Sequence, residues 1–221
     1  RLRTIFKEGV ISFDFNNHLA EKIGSTRNLP MVCINDSARH IDRVYSVFSN
    51  EFQAVNLAVS HLVGYGHRRI GMMTNIFDMS NSRNSAIRAR TFDSFIKSHS
   101  DCSGIFRNCM LSAGFLNTVM EFVRFGVTAI IAAGESLAAP VNHILSTCGI
   151  RVPEDISLAG FDGVEIGKYV IPSLTTLKQP VDSMARETAR ILFDIIGKKA
   201  KHQHCVFDGE LVIRDSTISR T

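Results

Sequence analysis

Apolar runs of four to seven residues alternate along this chain with longer segments of helical period. The runs at 9–15 (GVISFDF), 31–34, 69–74, 128–132 and 156–161 are apolar or β-branched nearly throughout, the pattern of strands covered on both faces. Between them the 3.6-residue period predicts helices over 51–65, 86–98, 114–125, 136–148 and 181–196. In the first, Ser49 or Asn50 can cap the leading amides, Phe52, Val55, Val59, Leu62 and Val63 make an apolar face, and Gly66 can stop the helix in a left-handed turn. In the last, Val181, Met184, Thr188, Ile191, Leu192 and Ile195 align on one face. Alternating strands and helices predict an α/β fold with a parallel doubly wound sheet and right-handed crossovers. Ligands of such sheets bind beyond the carboxyl ends of the strands, where helix N-termini and loop amides converge.

Asp162 stands at such an end, directly after Ile156-Ser157-Leu158-Ala159-Gly160-Phe161. It can cap the turn toward Gly163, or its two oxygens can accept hydrogen bonds from a polyhydroxylated or amino-bearing ligand; the pattern alone leaves both open.

The 221 residues suit one large domain or two lobes, and two are expected. An apolar fraction of 45% with 21% charged residues is that of a globular protein. The net charge of +4 changes little, because the basic residues are scattered apart from His67-Arg68-Arg69 and Lys198-Lys199-Ala200-Lys201; a solvated surface accounts for them. No run is long enough for a membrane span and no leader pattern opens the chain, so a soluble cytoplasmic protein is expected. The five cysteines form no C-x-x-C pair and read as free thiols, and His202-Gln203-His204-Cys205 reads as a surface loop rather than a metal site. No nucleophile elbow, zinc-protease helix or P-loop is present, and Gly64-Tyr65-Gly66 lacks the third glycine of a dinucleotide fingerprint; no catalytic residue, metal or cofactor is expected.

Five stretches occur in order: SNEFQAVNLAVSHLVGYGHRRIGMMT (49–74), VTAIIAAGESLAA (127–139), GIRVPEDISLAGFDG (149–163), PSLTTLKQPVDSMARETARIL (172–192) and GELVIRDST (209–217). Together they resemble the effector-binding core of the lactose/galactose repressor (LacI/GalR) family of bacterial transcription regulators. GHRRI, LTTLKQP and ELVIRDST favour the regulators over their relatives, the periplasmic sugar-binding proteins; a solute-binding protein of sugar transport is the alternative. The resemblance implies two doubly wound lobes of the periplasmic-binding-protein type joined by three crossings, near 74–76, 173–177 and 206–210. The first lobe would comprise 1–74 and 178–207, the second 75–177 and 208–221. It also implies a small polar metabolite between the lobes, a homodimer, and operator DNA contacted through a helix-turn-helix head that this chain lacks. Residues 1–15 match the family's third strand, so the first lobe is expected to be incomplete.

Position by position, Asp162 matches the family's pocket aspartate in GFD. Arg88, four residues before Phe92, matches the pocket arginine, with a surface role beside Asp93 or a glutamate as its alternative. Asn50, Glu135, Asp36 and Phe161 complete the ligand-binding set the resemblance implies. Ala133-Gly134-Glu135 stands where the family commonly has Ala-Asn-Asp, and Asn35-Asp36 departs from its usual ending of the second run, so sugar specificity does not follow from the resemblance.

Overall fold

The computed structural model of the chain describes residues 9–12, 29–34, 44–75, 83–109, 111, 114–163, 165–197, 199 and 204–220. Its elements run β1 (Val10–Ser12), β2 (Met31–Ile34), β3 (Val44–Ser49), α1 (Glu51–Gly64), β4 (Arg69–Asn75), α2 (Arg83–Ser98), β5 (Ser103–Cys109), α3 (Phe115–Phe125), β6 (Ala129–Ala132), α4 (Glu135–Thr147), β7 (Ser157–Asp162), β8 (Thr175–Lys178), α5 (Val181–Ile196), β9 (His204–Phe207) and β10 (Glu210–Val212). All five predicted helices are present within a few residues of their expected ends. Gly66 follows α1 at φ 85, the left-handed conformation expected of the residue that stops it.

Two compact units divide the chain, which passes between them after Asn50, Gln179 and Asp208. In the first unit β1, β2, β3 and β9 form a parallel sheet in that order. Helix α5 covers one face: Met184 and Ile191 pack with Val32, Ile34, Tyr45 and Val47. Its predicted stripe holds in the middle, while Val181 at its start is 57% exposed.

The second unit carries a six-stranded sheet in the order β10-β8-β7-β6-β4-β5. It is parallel, as expected of a doubly wound fold, with one antiparallel strand at its edge, β10 beside β8. Met73, Ile130 and Leu158 meet α3 and α4 in one core, with Phe122 and Leu137 fully buried. Val55, Val59 and Leu62 of α1 and Phe92 of α2 meet Ile70, Met72, Ile131 and Phe161 in another. Each such buried aliphatic side chain contributes about 1.5–3 kcal/mol.

The first expected crossing moves. Helix α1 and strand β4 belong to the second unit, so the chain crosses after residue 50 rather than near 74. The cause is pairing: β4 lies between β5 and β6, and α1 packs on that same sheet. The chain also changes unit after Gln179 and after Asp208. The face of α1 also turns. Its buried residues are Glu51, Ala54, Val55, Ala58, Val59 and Leu62, whereas Phe52 is 61% exposed.

Candidate functional site

The carboxyl ends of β6, β7 and β8 lie along one edge of the second sheet, and the polar side chains that meet there come from three different elements. Asp162 closes β7 with φ 82, the one non-glycine residue among those described to adopt the left-handed region. Aspartate tolerates this backbone better than most residues, yet it is strained, and such strain concentrates where a side chain must be aimed. The following residue shows why the turn is so tight. Gly163, at φ 65, packs against β8 so closely that a Cβ there would lie 2.6 Å from the Cα of Lys178.

The Asp162 carboxylate is 40% exposed. Gln179 Nε2 donates to its Oδ1 at 3.2 Å. The protein crowding around it is the leading influence and raises its pKa above the ordinary carboxylate value; Arg88 opposes that rise, Glu51 adds to it, and the Gln179 hydrogen bond opposes it.

Arg88 comes from the second turn of α2 and is almost wholly enclosed, its side chain 8% exposed. The guanidinium lies 4.6 Å over the Phe161 ring, a cation–π arrangement. Its Nε donates to Glu51 Oε2 at 2.5 Å and its Nη1 to the Ala133 carbonyl at 3.3 Å. Nη2 is 3.8 Å from Asp162 Oδ1, an ion pair too long for a hydrogen bond. Glu51, the first residue of α1, keeps a side chain only 2% exposed, and its charge suits a helix N-terminus.

Two predicted residues, Asp162 and Arg88, are therefore brought together; Arg88 is enclosed rather than at the surface, yet its acidic partner is a glutamate, Glu51, while Asp93 pairs with Lys97 at 2.6 Å. Phe161 is 2% exposed, and its ring lies 4.6 Å beneath the Arg88 guanidinium. Asn50 belongs to the first unit, where its Nδ2 donates to Asp208 Oδ1 at 2.8 Å. Glu135 opens α4, two residues after the Ala133 carbonyl that accepts from Arg88. Asp36 lies outside the described residues.

Sequence reasoning missed Glu51 and Gln179. The first was discoverable: Glu51 heads the stripe Val55, Ala58, Val59 and Leu62 at helical spacing, and a carboxylate on a buried stripe requires a cation. Gln179 gave no signal, because its role depends on β7 and β8 pairing in register, with Asp162 opposite Lys178.

Elsewhere in the second unit an apolar hollow is lined by Ala138, Asn142, Leu158, Val170, Pro172 and Leu174 among others, and none of the charged residues above reaches it. His204 and Cys205, expected in a loop, form part of β9, and Ser46 Oγ lies 2.7 Å from His204 Nδ1. Among the described residues no group of histidine, cysteine and acidic side chains could hold a metal ion, and no helix is long and apolar enough to cross a membrane.

Comparison with known proteins adds three findings. The family described as periplasmic binding protein-like domain matches residues 59–217. The chain is 27% identical over 211 residues to the HTH-type transcriptional regulator reg1 of Streptomyces lividans, covering 90% of this chain and 59% of that protein. It is likewise 27% identical over 223 residues to the HTH-type transcriptional repressor PurR of Aliivibrio fischeri, covering 96% of this chain and 64% of the repressor. The chain thus spans less than two thirds of either regulator. Among solved structures, a LacI family transcriptional regulator from Enterococcus faecium with bound ribose superposes with a TM-score of 0.84 at 21% identity, covering 100% of this chain and 83% of that one, a likeness of fold.

Proposed function

The chain belongs to the periplasmic binding protein-like family, in the form carried by LacI-type transcription regulators, and on that premise we propose that it senses a small polar metabolite at the strand-end edge of its second unit. Asp162 is the group that meets the ligand, and Arg88, stacked on Phe161 and tied to Glu51, shapes the wall beside it. One observation carries this reading: an aspartate is kept in a strained backbone conformation at the end of a buried strand, with its carboxylate partly open and a guanidinium beside it. A residue that only capped the turn would have no need of an enclosed arginine.

In this proposal ligand binding controls operator occupancy by a helix-turn-helix head, the element for which the HTH-type regulators above are called, and the protein works in the cytoplasm as a homodimer. Ile166, Tyr169 and Ile171, which are 58%, 72% and 89% exposed, present an apolar surface in the second unit that supports pairing with a second copy. The function is sensing rather than turnover, with ligand affinity coupled to DNA affinity by about 1–3 kcal/mol.

A thermal-shift screen of sugars, nucleosides and purines against the purified chain tests the reading. Asp162→Ala is expected to remove the ligand-induced shift while preserving the far-UV circular dichroism spectrum, because the carboxylate is no part of the apolar core. An Asp162→Ala protein that keeps its ligand affinity rejects the assignment. Arg88 is a poorer probe, since its removal strands Glu51.

A further inference from the structure

Resting on the ligand reading above, we propose that Glu51 sets the charge of the ligand: this edge takes neutral polyhydroxylated or amine-bearing molecules and rejects oxyanions such as sugar phosphates and carboxylic acids. An arginine in a binding site is ordinarily an oxyanion clamp, because its N–H groups lie in parallel pairs that fit a carboxylate or phosphate. Arg88 is not presented in that way. One pair joins Nε to an Nη group, and here Nε already donates to Glu51 Oε2 at 2.5 Å. The other joins the two Nη groups, and here Nη1 donates to the Ala133 carbonyl at 3.3 Å. Each edge of the fork thus meets an acceptor belonging to the protein, and the Phe161 ring covers one face at 4.6 Å.

Charge leads the same way. Glu51 and Asp162 both face the guanidinium of Arg88. The more exposed of the two acids is Asp162, at 40% against 2% for Glu51. A carboxylate only accepts hydrogen bonds, so it calls for hydroxyl or ammonium donors on the ligand. An anion brought to the same place would stand beside the Asp162 carboxylate and be repelled by it. Burial is the leading cause of the upward displacement of the Asp162 pKa; Arg88 opposes it, and Glu51 adds a smaller rise.

The test compares wild-type protein, Glu51→Gln and the double variant Glu51→Gln/Arg88→Met by calorimetry, with inorganic phosphate and ribose 5-phosphate as anionic probes and ribose as the neutral counterpart. Wild-type protein is expected to gain nothing from the phosphate group. Glu51→Gln removes the negative charge beside the fork, leaving only a neutral amide oxygen to accept from Nε, and is expected to bind both anions roughly tenfold more tightly or better, the scale of one charged partner. The double variant is expected to lose that gain. A folded Glu51→Gln protein with no gain overturns the proposal, as does wild-type protein that binds ribose 5-phosphate more tightly than ribose. If Glu51→Gln does not fold, that second comparison decides alone. Failure of the underlying ligand reading looks different: Asp162→Ala then leaves the affinity for neutral ligands unchanged.

Discussion

Replacing Arg88 by methionine keeps an unbranched chain about as far as the Nε position but removes the guanidinium over Phe161 and leaves the Glu51 carboxylate, 2% exposed, without the cation that sits 2.5 Å away. Two estimates of the penalty agree. At a charge separation of ~4 Å and an effective dielectric constant of ~20, the lost attraction is about 4 kcal/mol. Breaking a buried ion pair from one side destabilises proteins by about 3–5 kcal/mol, because the remaining charge stays desolvated. For a protein of this size each kcal/mol lowers Tm by about 2–4 °C, so a fall of roughly 10 °C is expected. Glu51→Gln/Arg88→Met removes the stranded charge and is expected to recover about 1–3 kcal/mol relative to Arg88→Met alone. Because the chain has no tryptophan, urea unfolding followed by far-UV circular dichroism is the suitable assay. A loss below about 1 kcal/mol, or a double variant no more stable than Arg88→Met, would refute the view that the buried Glu51 carboxylate depends on Arg88 as its partner.

Two further outcomes follow from other parts of the molecule. His67 is fully buried, its Nε2 donating to the Ile218 carbonyl at 3.1 Å and its Nδ1 2.9 Å from Thr128 Oγ1, and burial lowers its pKa from 6.5 to about 4. A depressed folded pKa gives stability that is complete above pH 6.5 and is lost as pH falls toward 4, here about 3 kcal/mol in all; unfolding at pH 7 and pH 4.5 is expected to show a smaller decline for His67→Gln than for wild type, and equal declines would contradict it. Ile171→Asp, at a position 89% exposed, is expected to convert a dimer to a monomer in sedimentation or light-scattering measurements while leaving Tm nearly unchanged, and a variant that remains dimeric removes this face from the proposed pairing surface.

How far the sequence reads depends on how local each feature is. Helix α5 was legible to the residue, because Met184, Thr188 and Ile191 repeat at the period that its one buried face imposes. Strands β2, β4, β6 and β7 were legible because both their faces are covered, which leaves continuous apolar runs. Strands β5, β9 and β10 were not: each lies at the edge of a sheet, where half-buried positions admit residues such as Arg107, His204 and Glu210. Strand β3 hid behind its two serines, although Ser46 and Ser49 are buried. In α1 the prediction favoured bulky Phe52 over the alanines at 54 and 58, and so rotated the buried face away from Glu51.

By itself the sequence determined the α/β class, the five helices, the central strands and the pairing of Asp162 with Arg88 as the residues to watch, since each rests on short-range periodicity or on motif order. Tertiary structure decided which unit owns α1 and β4, the antiparallel edge strand, and the partner of Arg88. Those features depend on sheet neighbours and on contacts between residues 37 positions apart or more, such as Glu51 with Arg88 and Ala133 with Arg88, which no local pattern encodes. The charge of the site follows the same division. A lone arginine in the sequence reads as a clamp for anions, and only the folded chain sets a buried carboxylate against it.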